Sequence, residues 1–314
     1  MRMIFVAALA ALGVLHAGTA LAADCQLHLF DAAQMTRLPD GRDTIPVMVN
    51  GSRQDFLFDT GGARTQLSRK LADDLKLHIH SGDGYLLDIA GERSDFVAAV
   101  DDLIIAHMRG TDQELPISPV KGLDGIVGLD HFTKLDLDMD FGNDQVKFFS
   151  PDHCDGQVVY WTDPNSVGIV PMKNVNSFHI RIPVTLDGHT TNAIIDTGAV
   201  RTIFKLNEAG WHFDLKPGDA DMPPLKGQNG KPIPNAFTHH FGNLSFGDVT
   251  VKNPEVLITP AVMADDMIIG MDVLRKLHIY VAFKEGRIYV SPASAHITAT
   301  AAPSTSPPAS AAEH

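Results

Sequence analysis

The sequence Phe-Leu-Phe-Asp-Thr-Gly at residues 56–61 recurs as Ala-Ile-Ile-Asp-Thr-Gly at residues 193–198. This recurrence is the main indication of the fold. The similarity extends outward from both motifs. Residues 45–68 and 182–205 align without a gap at an offset of 137, and 9 of the 24 aligned positions are identical. Solenoid repeats have periods of about 20–50 residues, so a repeat of this length indicates two copies of one domain.

A second pair of motifs follows the first in the same order. Ile-Val-Gly-Leu-Asp at residues 126–130 corresponds to Ile-Ile-Gly-Met-Asp at residues 268–272, at an offset of 142. A lone Asp-Thr-Gly carries little information, since a chain of this size contains roughly 0.07 by chance. Two such motifs at the same place in a repeat, each followed by a second shared motif, point to a common function.

Each copy is rich in β-strand patterns. Apolar and β-branched runs of four to eight residues lie between turn signals such as Asn-Gly at 50–51 and Asp-Gly at 187–188. We predict only two short helices per copy, one after Asp-Thr-Gly (67–75 in the first copy) and one capped at its N-terminus by Asp130 or Asp272. This pattern excludes a doubly wound parallel sheet and predicts an all-β fold of two tandem barrel-like lobes related by a pseudo-twofold axis.

An apolar run that ends in Asp-Thr-Gly places a carboxylate at the end of a buried strand, and the glycine allows a turn and a close backbone approach. If the two lobes pack about the pseudo-twofold axis, Asp59 faces Asp196. Two carboxyls about 3 Å apart cannot both ionise, so they share one proton. One can then act as general base on a water while the other donates a proton to a substrate carbonyl. The alternative is a pair of exposed hairpin turns.

These motifs resemble those of retropepsin-like and pepsin-like aspartic peptidases, in the form of a bacterial single chain with two Asp-Thr-Gly repeats. The family pattern also has a Thr six residues after the Asp, present here as Thr65 and Thr202, and a later apolar-apolar-Gly-x-Asp/Asn motif. The resemblance covers residues 45–290. It implies that the dyad of Asp59 and Asp196 is catalytic. It also implies a set of dyad-supporting residues, in which the threonines hydrogen-bond across to the opposite loop: Thr60, Gly61, Thr197 and Gly198.

The resemblance implies an aspartic endopeptidase, a hydrolase that activates water without a cofactor and acts on a peptide or protein. A non-catalytic peptide-binding or scaffold protein that retains the fold is the alternative. A glycosidase is disfavoured because its two carboxyls need about 5–10 Å of separation. With 25 Lys and Arg against 38 Asp and Glu, a net charge of −13 and no basic cluster, we expect no nucleic-acid partner.

The family covers its cleft with β-hairpin flaps about 25–45 residues after each catalytic Asp. Turn signals at 89–92 and 227–230 fit these positions, although ordinary surface hairpins would look the same. The candidate substrate-binding residues in these turns are Ala90, Gly91, Gln228 and Asn229. Arg64 and Arg201, five residues past each Asp, complete the candidates. Each arginine either binds acidic or polar substrate side chains or braces its own lobe by pairing with a carboxylate.

Two departures from the family pattern follow the first motif. Gly62 replaces the usual Ala or Ser, which enlarges the space there. Ala63 and Val200 stand where retroviral enzymes carry an acidic residue that holds the substrate backbone. The substrate preferences of the viral enzymes therefore do not transfer to this chain.

The ends of the chain predict export and a tail. Residues 1–22 combine a positive start, a short apolar run and a small-residue cleavage site, as in a signal peptide. We therefore expect a periplasmic or secreted monomer with no membrane anchor after signal removal. The predicted segments are an N-terminal retropepsin-like lobe at 23–150, an inter-lobe connection at 151–168, a C-terminal lobe at 169–292 and a disordered tail at 293–314.

Export bears on the two cysteines. In an oxidising compartment we expect Cys25 and Cys154 to form a disulfide, the alternative being two unpaired thiols. Histidines at 78 and 80, and at 239 and 240, have no third ligand spaced with them, so we predict no metal site.

Three alternating aspartates, Asp136, Asp138 and Asp140, lie on one face of a predicted strand. A calcium loop of the EF-hand type is excluded, because Phe141 occupies the position that needs Gly and Lys147 the position that needs Glu. We therefore predict a solvated strand face.

Overall fold

In the computed structural model of this protein, the described residues are 25–88, 91–173, 178–227, 229–261, 263 and 265–294. The predicted signal peptide at 1–22 and residues 295–314 of the predicted tail lie outside them, as do Ala90 and Gln228. None of the helices within the described ranges is long and apolar enough to cross a membrane.

The first half of the chain is mostly β-strand. Its strands are β1 (Leu29–Gln34), β2 (Thr36–Arg37), β3 (Asp43–Val49), β4 (Ser52–Phe58), β5 (Gln66–Ser68), β6 (Ile79–Leu87), β7 (Arg93–Ile105), β8 (Met108–Ser118), β9 (Gly125–Val127), β10 (Asp136–Asp140) and β11 (Gln145–Phe149). Helix α1 (Arg69–Asp74) and a 3₁₀ turn at Leu129–His131 complete it.

The second half repeats this arrangement after a 3₁₀ turn at Pro164–Ser166. Its strands are β12 (Gly168–Pro171), β13 (Arg181–Leu186), β14 (His189–Ile195), β15 (Ile203–Lys205), β16 (Pro224–Lys226), β17 (Pro232–His240), β18 (Asn243–Phe246), β19 (Val249–Lys252), β20 (Glu255–Thr259), β21 (Met267–Ile269), β22 (Leu277–Ala282) and β23 (Arg287–Pro292). Its helices are α2 (Leu206–Phe213) and α3 (Met271–Leu274).

Each lobe has its own sheet with the same core of pairings. The order is β2-β3-β4-β9-β5-β8-β7-β6 in the first lobe and β16-β17-β20-β15-β21-β14-β13-β18-β19 in the second. In the first lobe β4 runs parallel to β9, which pairs antiparallel with β5, and in the second lobe β14, β21 and β15 repeat these pairings. The predicted all-β fold of two tandem lobes is confirmed.

A third sheet joins the lobes. Its order is β1-β11-β10-β22-β23-β12, so three strands come from each half of the chain and meet where β10 pairs with β22. One face of this sheet contributes Leu137, Met139 and Ile279 to the main hydrophobic core. Because the sheet continues across the lobe boundary, neither lobe closes its core without the other.

The other face of the joining sheet carries the alternating aspartates, and they are buried. Asp136 and Asp138 have no exposed surface. His153 Nε2 lies 2.5 Å from Asp136, His278 Nε2 lies 2.5 Å from Asp138, and the Tyr160 hydroxyl donates to Asp138. The prediction of a solvated face is wrong, because the segment that follows β11 covers the strand and supplies His153 to Asp136 and Tyr160 to Asp138.

The covering segment is the predicted inter-lobe connection. Trp161 stacks on His278 with ring centroids 4.3 Å apart, and its indole N–H donates to Ser291 Oγ at 2.9 Å. A disulfide between Cys25 and Cys154, with Cα atoms 4.9 Å apart, attaches the beginning of the described chain to this segment. The connection is therefore a packed layer over the joining sheet.

The predicted helix after the first Asp-Thr-Gly forms, with Ser68 as its N-cap. The predicted capping role of Asp130 and Asp272 is wrong. Gly128 and Gly270 occupy the N-cap positions, and both aspartates lie inside the first turn of their short helices. Their carboxylates face the Asp-Thr-Gly loops instead, where they accept hydrogen bonds.

We predict that replacing a buried aspartate of the joining sheet has a large effect on stability. We expect Asp138→Ala to lower the free energy of unfolding by about 3–5 kcal/mol, because it leaves the buried His278 and Tyr160 without their carboxylate partner. The control is Lys284→Ala, which removes an exposed ion pair of 3.2 Å to Asp152 and should change stability by less than about 1 kcal/mol. Urea unfolding measures both, and equal losses would contradict the prediction.

Candidate active site

Both Asp-Thr-Gly loops begin where a buried strand ends. Asp59 follows β4 and Asp196 follows β14, and the three apolar residues before each aspartate are buried. The backbone N–H of Asp59 donates to the carbonyl of Val127 at 3.0 Å, and that of Asp196 donates to Ile269 at 3.0 Å. Strands β9 and β21, which carry the second motif, therefore hold the first motif in place.

Each loop closes around its own carboxylate. The amides of Gly61 and Gly62 donate to Asp59 Oδ1 at 2.9 and 2.8 Å. Asp196 Oδ1 accepts the corresponding amides of residues 198–199 at 2.8 and 3.0 Å. The second carboxylate oxygen of each aspartate takes no part in these bonds.

The two carboxyls face each other across the lobe boundary. A Cβ added at Gly61 would overlap the carboxyl of Asp196, and one added at Gly198 would overlap that of Asp59. Each loop therefore lies against the other lobe's aspartate at a distance that only glycine allows.

Burial raises the pKa of both aspartates. The pKa of Asp196 is raised well above its usual range by burial first, then by the negative charge of Asp59 and by a hydrogen bond between the two carboxyls. Burial also raises the pKa of Asp59, although its hydrogen bond with Asp196 and its two loop amides act in the opposite direction. The pair therefore titrates as a unit that shares one proton over an intermediate pH range.

Reciprocal hydrogen bonds connect the two loops. The amide of Thr60 donates to Thr197 Oγ1 at 3.0 Å, and the amide of Thr197 donates to Thr60 Oγ1 at 3.1 Å. The Thr60 hydroxyl donates to the carbonyl of Ile195 at 2.7 Å, and the Thr197 hydroxyl donates to that of Phe58 at 2.6 Å. All four bonds are buried, so the relative position of the two carboxyls is set by paired polar groups rather than by side-chain packing alone.

Hydrogen bonds join the first and second motifs within each lobe. Thr65 donates its amide and hydroxyl to Asp130 Oδ1 at 3.0 and 2.9 Å. Thr202 donates likewise to Asp272 Oδ1 at 2.9 and 2.8 Å. These bonds tie the end of each Asp-Thr-Gly loop to the short helix that follows β9 or β21.

Two family models match the chain, one over each lobe. Residues 45–131 match a model of aspartyl proteases, and residues 182–276 match a model of gag-polyprotein aspartyl proteases. The chain contains two retropepsin-like aspartic peptidase domains in tandem. The matched ranges contain both Asp-Thr-Gly loops and both second motifs. A search of curated proteins gave no significant match.

A cavity of about 720 Å³ lies against the loops of both retropepsin-like domains. Asp59 and Asp196 line it, together with residues 86–88 at the end of β6. The hairpin of β6 and β7 thus reaches the dyad at the position predicted for a flap. The equivalent hairpin of β16 and β17 contributes no described residue to this cavity.

The candidate substrate-binding residues predicted from the sequence differ in whether they line this cavity. Gly91 and Asn229 lie in the turns of the two hairpins but do not line the cavity, and Ala90 and Gln228 lie outside the described residues. Arg64 and Arg201 both line it.

Sequence reasoning missed two further residues, Arg42 and His179. Arg42 Nη1 donates to the carbonyl of Gly198 in the opposite loop at 3.3 Å, and His179 hydrogen-bonds the backbone of Gly61. Both line the cavity beside the dyad. Burial first, and then the nearby positive charge of Arg181, lowers the pKa of His179. The two residues are 137 positions apart, the same offset as the repeat, but they lie three positions before its aligned region, so only an extension of the alignment could have found them.

We predict that loss of the Thr60 hydroxyl group lowers the stability of the protein. We expect Thr60→Val to lower the free energy of unfolding by about 2–4 kcal/mol, because it leaves the buried amide of Thr197 and carbonyl of Ile195 without partners. Thr60→Ser keeps the hydroxyl and should retain most of that stability. Chemical unfolding of both variants measures the difference, and a Thr60→Val protein as stable as the Ser variant would contradict the role given to these bonds.

Proposed function

We propose that the protein is an exported aspartic endopeptidase that hydrolyses peptide bonds with a water activated by Asp59 and Asp196. The observation that carries the proposal is the position of Asp59 and Asp196, whose carboxyls lie against each other's loops and line a cavity bordered by both lobes. Because burial raises the pKa of both, we infer that the pair shares one proton. The aspartyl protease domains support a protease-like function, and the chemistry follows from the dyad.

The proposed reaction needs one ionised and one protonated carboxyl. The ionised carboxylate takes a proton from the bound water, and the water oxygen forms a bond to the peptide carbonyl carbon. The protonated carboxyl gives its proton to the carbonyl oxygen. The tetrahedral gem-diol intermediate then collapses. The peptide C–N bond breaks, the leaving nitrogen receives the proton held by the dyad, and one hydroxyl of the intermediate returns its proton to the dyad as the C=O bond re-forms, so the pair holds one proton again.

The hairpin of β6 and β7 would close this site over a bound peptide. Leu86, Leu87 and Asp88 line the same cavity as the dyad, and Leu87 is an exposed apolar side chain. A hairpin that packs an apolar surface on the substrate excludes water other than the reacting molecule. We therefore assign the flap role to the first hairpin alone.

Export is part of the proposal. The signal-like segment at 1–22 and the disulfide between Cys25 and Cys154 both fit an oxidising compartment, either the periplasm or the extracellular medium. The substrate would be a peptide or protein encountered there.

The dyad predicts the effect of two substitutions. We expect Asp59→Asn and Asp196→Asn each to reduce cleavage of a mixed peptide library by at least about 10³-fold, because one carboxyl cannot serve as both acid and base. Asp101→Asn on the exposed edge of β7 is the matched control and should cleave normally. Mass spectrometry of the digests gives the rates. Equal cleavage by wild type and a dyad variant would refute the proposal, and binding without cleavage by the wild type would favour a peptide-binding scaffold.

The pH profile is predicted to be bell-shaped. Activity falls when acid protonates both carboxyls and when base ionises both. Because burial raises the pKa of both carboxyls, and the negative charge of Asp59 raises the pKa of Asp196 further, we expect an optimum above the ordinary aspartate value of about 3.9. Neither loop has a Ser after Asp-Thr-Gly to stabilise the ionised form, since Gly62 and Ala199 stand there. A measured optimum near pH 2 would contradict this reasoning.

A further inference from the structure

Arg64 and Arg201 occupy equivalent positions, five residues past each aspartate of the dyad. Both line the cavity that contains Asp59 and Asp196. A symmetric pair of arginines would make the two halves of the cavity electrostatically alike. The surroundings of the two side chains differ, however.

Arg201 already has a carboxylate partner. Its guanidinium forms an ion pair with Glu255 at the start of β20, and the other oxygen of Glu255 lies 3.3 Å from His240 Nε2. About two thirds of the Arg201 side chain is covered, since its exposed fraction is 33%. Arg201 therefore braces its own lobe, which agrees with the structural alternative predicted from the sequence.

Arg64 has no such partner. It is exposed and forms no ion pair with any residue in the described part of the chain. It also borders a second cavity of about 340 Å³ behind the first hairpin, together with His80 and Glu114. Its positive charge is thus directed into open space on the side of the dyad that belongs to the first lobe.

The first lobe has an equivalent carboxylate, but it does not pair with Arg64. Strand pairing matches Leu67 with Ile117 in the first lobe and Phe204 with Ile258 in the second, so Glu114 is the counterpart of Glu255. The Glu114 carboxylate pairs with His80 Nε2 at 2.8 Å instead of with Arg64.

Other charged groups at the cavity are already engaged. Arg42 pairs with Asp40 at 2.7 Å. Asp88 on the hairpin accepts the amide of Glu92 at 2.8 Å, within its own turn. The amide hydrogen bond leaves the negative charge of Asp88 in place, so Asp88 and the dyad are the negative groups that line the cavity. Arg64 is the arginine at this cavity that forms no ion pair within the described residues.

The apolar floor of the cavity is also asymmetric. In the second lobe it consists of Ile194, Ile203 and Ile268, which form one apolar cluster with Leu257 and Met263 packed against it. In the first lobe the corresponding positions are Leu57, Gln66 and Ile126. Gln66 replaces an isoleucine, so the half of the cavity next to Arg64 is the more polar one.

From this asymmetry we propose that the cleft selects peptides with an acidic side chain over the first lobe, bound by Arg64, and an apolar side chain over the second lobe. The inference rests on the proposed peptidase function and names its substrate class. A carboxylate beside Arg64 can form a bidentate, charge-assisted pair, whereas the isoleucine cluster favours removal of apolar surface from water.

The test compares peptides that differ only in Glu against Gln at the position nearest the first lobe, after a library digest has located the cleaved bond. We expect the wild type to cleave the Glu peptide with at least about tenfold higher kcat/KM. Arg64→Gln should bring the ratio close to one, Arg64→Lys should keep most of it, and Arg64→Glu should favour the matching Lys peptide. Arg201→Gln is the matched control, and it should lower Tm while leaving the Glu-to-Gln ratio unchanged.

A Glu-to-Gln ratio that is the same in the wild type and Arg64→Gln overturns the inference while leaving the peptidase proposal intact. If the wild type cleaves no peptide, the peptidase proposal fails. The binding of the same two peptides, labelled and followed by fluorescence anisotropy, then decides the inference through the ratio of their affinities with and without Arg64. Equal affinities, or no binding of either peptide, overturn it.

Discussion

The four hydrogen bonds between Thr60 and Thr197 and the opposite loops are the constraint on which the site depends. They are buried at the point where the two lobes meet, so each loop can satisfy its backbone groups only in the presence of the other. This dependence brings the two carboxyls together despite their mutual repulsion. The joining sheet also holds the two lobes together, because its paired strands β10 and β22 come from different halves of the chain.

Two groups of aspartates in this protein illustrate opposite effects of burial on a carboxyl group. On the joining sheet, Asp136 and Asp138 receive histidine and tyrosine partners, which offset the loss of hydration and leave a stable network. At the cavity, one carboxylate oxygen of Asp59 and one of Asp196 accept backbone amides, and the two carboxyls hydrogen-bond each other. The second arrangement raises the pKa of both carboxyls, which is the property that the proposed mechanism uses.

Duplication explains the symmetry of the dyad, and later divergence explains the asymmetry around it. Residues that contact the other lobe's loop stay equivalent, as Thr60 and Thr197 do. Residues one layer further out differ in charge or polarity, as Arg42 differs from His179 and Gln66 from Ile203. A single-chain protein can acquire such differences, because each lobe is encoded by its own stretch of sequence. A symmetric dimer of identical chains cannot, because every substitution appears in both subunits.

The strands, the two-lobe organisation and the positions of Asp59 and Asp196 could be predicted from the sequence, because they follow from local periodicity and from a repeat of paired motifs. Which side chains become buried partners depends on the tertiary structure. The burial of Asp136 and Asp138 depends on the segment that covers them. The second-motif residues Asp130 and Asp272 bind threonines more than sixty positions away. The pairing of Arg201 with Glu255, while Arg64 stays open, likewise depends on contacts between distant strands. Burial and charge pairing are properties of the packed chain, and no local pattern encodes them.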